Sequence, residues 1–99
     1  MALKIFWTHK ARLSFLAVLE YLCTEWSYDV ALEFRNRVDV VLRYLSTNPN
    51  MGRKEEMLPH NIRSYLISKN TKLFYRIVGN EMHLIKFFDT RQHPDRALE

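Results

Sequence analysis

The residues of this chain that could do chemistry are three histidines and a set of cations, and they crowd into its second half. His60, His83 and His93 carry imidazoles that titrate near neutral pH, as general acid–base catalysis requires. His9 stands at the start of a helix-forming stretch and reads as structural. Between positions 60 and 93 stand Arg63, Lys69, Lys72, Arg76, Lys86 and Arg91 against Glu81 and Asp89. Six cations less two acids is +4, the formal charge of the whole 99-residue chain. Basic side chains interleaved with Phe74 and Phe87 suit RNA, whose phosphates are neutralised while bases stack, and equally suit an acidic peptide.

Other chemistries find less support. No H-x-x-x-H or carboxylate–histidine spacing is present, so no metal site is expected. Ser64 has no histidine at a diagnostic spacing for nucleophilic catalysis, and with only two glycines there is no phosphate-cradling loop or cofactor motif. The single cysteine, Cys23, permits neither an internal disulfide nor a cysteine-based zinc site, and suits a reducing cytoplasm. It falls near a helix stripe and reads as a small core residue. No apolar run approaches the roughly 18 residues of a membrane span, and Lys10 and Arg12 interrupt any signal-peptide core. Apolar residues make up 47%, too many for a disordered chain, and the length suits one domain over residues 1–99.

The elements that must position these groups follow from periodicity. Residues 3–7 form a short strand rich in aliphatic and aromatic side chains. Thr8 can cap a helix from His9 to about Trp26, with Ala11, Phe15, Val18, Leu19, Leu22 and Trp26 on its apolar stripe. After a break at Ser27, Asp29 suits the first turn of a second helix. Ala31, Phe34, Val38, Val41, Leu42 and Leu45 make the buried stripe of that helix. Glu33/Arg37 and Asp39/Arg43 are i,i+4 pairs on its solvated side. Pro49 stops the helix and Gly52 is free to turn. Residues 53–61 read as a loop. Strands follow over 62–68, 72–78 and 81–88, the last two joined by a Gly79-Asn80 turn with glycine first for positive φ.

That turn sets a register. It pairs Val78 with Glu81, Arg76 with His83, Phe74 with Ile85 and Lys72 with Phe87, and opposed residues share a face. One face then carries Lys72, Arg76 and His83 among Phe74, Ile85 and Phe87, and is the open one. The other carries Leu73, Tyr75, Ile77, Met82, Leu84 and Phe88 and packs on the helices. Lys86 falls on the core side, which this register does not explain.

The order β-α-α-β-β-β makes an α+β fold, a helical hairpin on one face of a mostly antiparallel sheet. It resembles the RelE/ParE superfamily, the toxins of type II toxin–antitoxin systems often labelled plasmid stabilisation proteins. The opening Phe6-Trp7-Thr8-His9-Lys10-Ala11 is similar to the family start. Asn48-Pro49-Asn50-Met51-Gly52-Arg53 looks like its post-helix Pro-x-x-Gly turn. Ile62-Arg63-Ser64-Tyr65-Leu66 and Leu73-Phe74-Tyr75-Arg76-Ile77 look like its Arg-Ser and Tyr-Arg strands. Phe88-Asp89-Thr90-Arg91-Gln92-His93-Pro94 is similar to the Arg-x-x-Pro ending of the ParE-like branch.

The resemblance implies a cytoplasmic growth inhibitor neutralised by a cognate antitoxin in a hetero-oligomer, with no cofactor. It leaves two mechanisms open. ParE-like members poison DNA gyrase. RelE-like members cleave mRNA on the ribosome without a metal, using the RNA 2′-hydroxyl as nucleophile. Arg63, Lys72 and Arg91 occupy places where RNA-cleaving members have basic residues, and His93 could act as acid or base. Tyr65, however, stands where RelE has a second lysine, and no tyrosine follows Tyr75 to match the family's catalytic one. The ParE-like branch is therefore favoured. A non-toxic, antitoxin-binding member is a further alternative. In the toxic readings, Arg63, Lys72, Phe74, Arg76, His83 and Arg91 are expected to meet target or antitoxin.

Overall fold

The computed structural model describes residues 2–91, so His93, Pro94 and the rest of the ending lie outside the described residues. Strand β1 (Lys4–Trp7) leads through Thr8 into α1 (His9–Glu25). Thr8 does two jobs. Its hydroxyl oxygen accepts from the Ala11 N–H at 3.1 Å, capping α1, and its O–H donates to the Leu84 carbonyl at 2.7 Å. The helix start is thereby tied to the sheet it covers. Ser27 caps α2 (Tyr28–Thr47) in the same manner, accepting from Val30 N–H at 3.1 Å. The break between the helices is thus a cap, and the two form a hairpin.

Five strands make one sheet in the order β1-β5-β4-β3-β2. β4 (Thr71–Val78) runs antiparallel to both β3 (Arg63–Ser68) and β5 (Glu81–Asp89), while β1 lies parallel to β5. β2 (Arg53–Lys54) corrects the reading of 53–61 as loop throughout, since its two residues pair with Ser64 and Arg63. Two residues carry no periodicity to detect.

The helices cover one sheet face. Phe34, Val38, Leu42 and Leu45 of α2 and Ala11 of α1 pack with Leu73, Tyr75, Met82, Leu84 and Phe87, while Phe15, Val18, Leu19 and Leu22 are partly buried against them. Two expectations for α1 fail. Trp26 follows its last turn and is 70% exposed, and Cys23 is exposed as well.

The β4–β5 hairpin begins as the turn predicts. Gly79 has φ +59°, and Val78 faces Glu81 while Arg76 faces His83. The register then shifts. Tyr75 faces Leu84 but Phe74 faces Lys86, leaving Ile85 as the extra residue of a bulge. A bulge inverts the faces of everything beyond it. Phe87 joins the helix-side core and Phe88 goes to the opposite face, the reverse of the simple register. The awkward position of Lys86 is resolved too: its ammonium lies 5.7 Å from the centre of the Phe88 ring.

Candidate functional site

Each cation singled out in the sequence has a definite place. Arg63 opposes Tyr75, and its guanidinium donates to the carbonyls of Asn50 at 3.2 Å and Gly52 at 2.9 Å. Tyr75 completes that corner. Its hydroxyl donates to the Pro49 carbonyl at 2.8 Å and accepts from the Gly52 N–H at 2.9 Å, and burial pushes the phenol above its ordinary value. Together the two residues hold the turn Pro49–Met51 that follows α2. Gly52 is not there for its freedom to turn, since its φ of −69° suits any residue. It is there for space: a Cβ at Gly52 would meet the Tyr75 hydroxyl oxygen at 2.2 Å.

Lys72 lies on the opposite face of the sheet. Its ammonium sits 3.6 Å from a Glu55 oxygen and 5.8 Å from the centre of the Phe74 ring. The buried Ser64 hydroxyl donates to the same Glu55 oxygen. Phe74, expected on an open face, is buried with Ile62 and Phe88 beneath the chain that runs from β2 to β3. It offers no ring to a base in this conformation.

Further along that face, Arg76 and His83 stand opposite each other. Arg76 makes no hydrogen bond or ion pair among the described residues. His83 Nε2 is 2.9 Å from Glu81 Oε1, and the His83 ring leans on the half-exposed Phe6 at 4.8 Å between centres.

Arg91 lies across the molecule, at the rim of a groove of about 890 Å³ between the helices and the far ends of β4 and β5. The floor is apolar, with Val18, Leu22, Phe34 and Phe87, and the exposed Trp26 and Tyr21 stand at its mouth. Arg37, Lys69 and Arg91 outnumber Glu33 and Asp89 around it. Arg91 is clasped by Asp89 through Nε–Oδ1 at 3.0 Å and NH2–Oδ2 at 2.9 Å, and Tyr21 lines the same groove. The Arg91 side chain holds the Asp89 carboxyl below its ordinary value, and the same contact pushes the guanidinium up.

Arg63, Lys72 and Arg91 therefore do not converge. One faces the helix side and binds backbone carbonyls, one lies on the other sheet face with Glu55, and one borders the groove with Asp89. Among the described residues no group of His, Cys, Asp and Glu could hold a metal ion, and no helix is long and apolar enough to cross a membrane. Glu55, Tyr75 and Trp26 were not singled out in the sequence as functional. Glu55 stands in an aperiodic segment, and its role depends on a strand pairing nine residues away. The site thus lies on a small α+β domain, a helix hairpin over one sheet face, with dispersed cations and a basic-rimmed groove.

The comparisons name that class more closely. The model of the ParE toxin of the type II toxin–antitoxin system parDE matches residues 5–94, and the chain belongs to that family. A chain from the chromosomal ParDE toxin–antitoxin system of P. aeruginosa has the same fold, with a TM-score of 0.75 and 19% identity, covering 89% of this chain and 96% of that one. A copper-bound mutant toxin from Helicobacter pylori aligns less well, at a TM-score of 0.56 and 16% identity over 90% and 96% of the two chains. No curated protein matches this chain significantly. It is a type II toxin-family member with a cognate antitoxin as its partner.

Proposed function

We propose that this toxin arrests growth by binding DNA gyrase in the cytoplasm, through protein contacts, and that it does not cut RNA. The observation that carries this reading is the separation of the three cations. Metal-free cleavage of a phosphodiester needs positive groups gathered around one phosphate as its charge develops. Here Arg63 serves two backbone carbonyls, while Lys72 and Arg91 are each engaged by a carboxylate. On the same reading, Arg76, with His83 and Phe6 beside it, is the cation left open for a macromolecular target. The apolar groove with Arg91, Lys69 and Arg37 at its rim suits an acidic, amphipathic segment of the antitoxin, which would be drawn in by charge and held by burial.

The deciding experiment follows DNA, RNA and protein synthesis after induction without antitoxin, alongside gyrase supercoiling with the purified protein. The expected result is early arrest of replication and loss of supercoiling activity. Arrest of translation first, with cuts mapped to the ribosomal A site, would make the alternative of an mRNA endonuclease correct, with His93 its candidate acid or base. Harmless expression would point to an antitoxin-binding member with no toxicity.

A further inference from the structure

A second apolar cluster lies on the sheet face turned away from the helices. Ile62, Phe74 and Phe88 are buried there, with Leu58 and Ile85 packed against them. Residues 55–62 cover the Phe74–Phe88 pair, held by the side chains of Leu58 and Ile62 and by a small set of polar contacts. The Glu55 carboxylate accepts from the Ser64 hydroxyl and sits 3.6 Å from the Lys72 ammonium. Two backbone bonds lie within the segment and shape it without tying it to the sheet, Glu55 N–H to Ile62 O at 3.0 Å and Leu58 N–H to Glu55 O at 3.1 Å. Between these anchors Met57 is 95% exposed. Its far end turns through His60 (φ 64°) and Asn61 (φ 56°), two consecutive residues in the left-handed region without a glycine.

Beneath this segment lies a surface suited to a ligand. The Phe74 and Phe88 rings meet at a tilt, 5.7 Å between centres, each with an ammonium beside it, Lys72 on one and Lys86 on the other. Lys72 and Ser64 together make an anion site, and the chain's own carboxylate fills it. The present occupant defines the chemistry that fits: a carboxylate at one position and an aliphatic side chain three positions on, as in Glu55 and Leu58.

We propose that residues 55–62 are a displaceable strap, and that Glu55 holds on Lys72 and Ser64 the place of a carboxylate from a partner peptide with an aliphatic residue three positions later. The strap keeps the aromatic–cationic face closed until such a peptide replaces it. This surface is separate from the groove bordered by Arg91, and the proposal stands whether the toxin acts on gyrase or not.

The test uses the full chain and its Glu55→Gln variant. Loss of one charge-assisted hydrogen bond and its ion pair should speed amide exchange in 55–62 by about 10- to 100-fold while β4 amides stay protected. Ser64→Ala should show the same local pattern. A blocked synthetic peptide of residues 53–62 should bind Glu55→Gln at least about tenfold more tightly than the original chain, by NMR titration. The same peptide with glutamine at the Glu55 position should not show that preference. No local rise in exchange, or a rise spread evenly over β4 and β5, overturns the strap. Equal binding to both chains, or binding to neither, overturns the shared site.

Discussion

Removing one oxygen atom at Tyr75 should loosen the whole corner between α2 and the sheet. Tyr75 is fully buried, and its hydroxyl is both donor to Pro49 O and acceptor for the buried Gly52 N–H. Tyr75→Phe leaves the ring in place and strands both backbone groups. An unsatisfied buried polar group costs about 1–3 kcal/mol, and the Pro49 carbonyl is only partly buried, so water can recover part of its share. The expected loss is about 2–4 kcal/mol. In urea unfolding, with a slope of about 1–3 kcal/mol/M for a small domain, the midpoint should fall by about 1–2 M at unchanged slope.

The same side chain has a signature in pH. Because burial raises the phenol above 10.0, the folded state holds its proton more tightly than the unfolded chain does. The stability this provides is fully present below pH 10 and is lost as pH rises through the folded value. Unfolding at pH 8 to 11.5 should therefore show a steeper alkaline decline in the original chain than in Tyr75→Phe. A variant within about 0.5 kcal/mol of the original, or identical alkaline slopes, would refute the reasoning that this hydroxyl fastens the turn.

Gly52→Ala tests the same corner from the other side. Its Cβ would fall 2.2 Å from the Tyr75 hydroxyl oxygen and 2.6 Å from a ring carbon, so a loss of about 3 kcal/mol or more is expected by thermal unfolding, with no rescue from Tyr75→Phe. Thr8→Ala removes a helix cap and a tie to β5 together, and should cost about 1–2 kcal/mol in chemical denaturation. Asp89→Asn should flatten the acid limb of the stability curve. The Asp89 carboxyl is held below 3.8 by Arg91, so its contribution is present above that value and lost as pH falls through the folded one. Denaturant titrations from pH 5 to 2.5 would reveal the difference. If the antitoxin occupies the groove, Lys69→Glu with Arg91→Glu should slow its association and weaken the dependence of the rate on salt, measured by stopped flow.

Much of this protein was settled by short-range chemistry, which the sequence displays. The caps at Thr8 and Ser27 depend on a hydroxyl meeting an N–H three residues ahead, and the Gly79-Asn80 turn on one positive φ. The buried faces of the two helices follow from spacing alone, and the order of elements, with its local motifs, was enough to suggest the family that the model match establishes.

What only the tertiary structure decided lies beyond that range. A single extra residue at Ile85 exchanges the faces of Phe87 and Phe88, and nothing in alternating apolar residues marks where a bulge falls. Gly52 looks like a turn residue and is in fact a gap for a tyrosine 23 positions away. The cations show the difference most plainly. Their sum and their place in the chain were visible, but an ion pair is set by distance in space. Folding sent Arg63 to backbone carbonyls, Lys72 to Glu55 and Arg91 to Asp89, and left Arg76 facing outward.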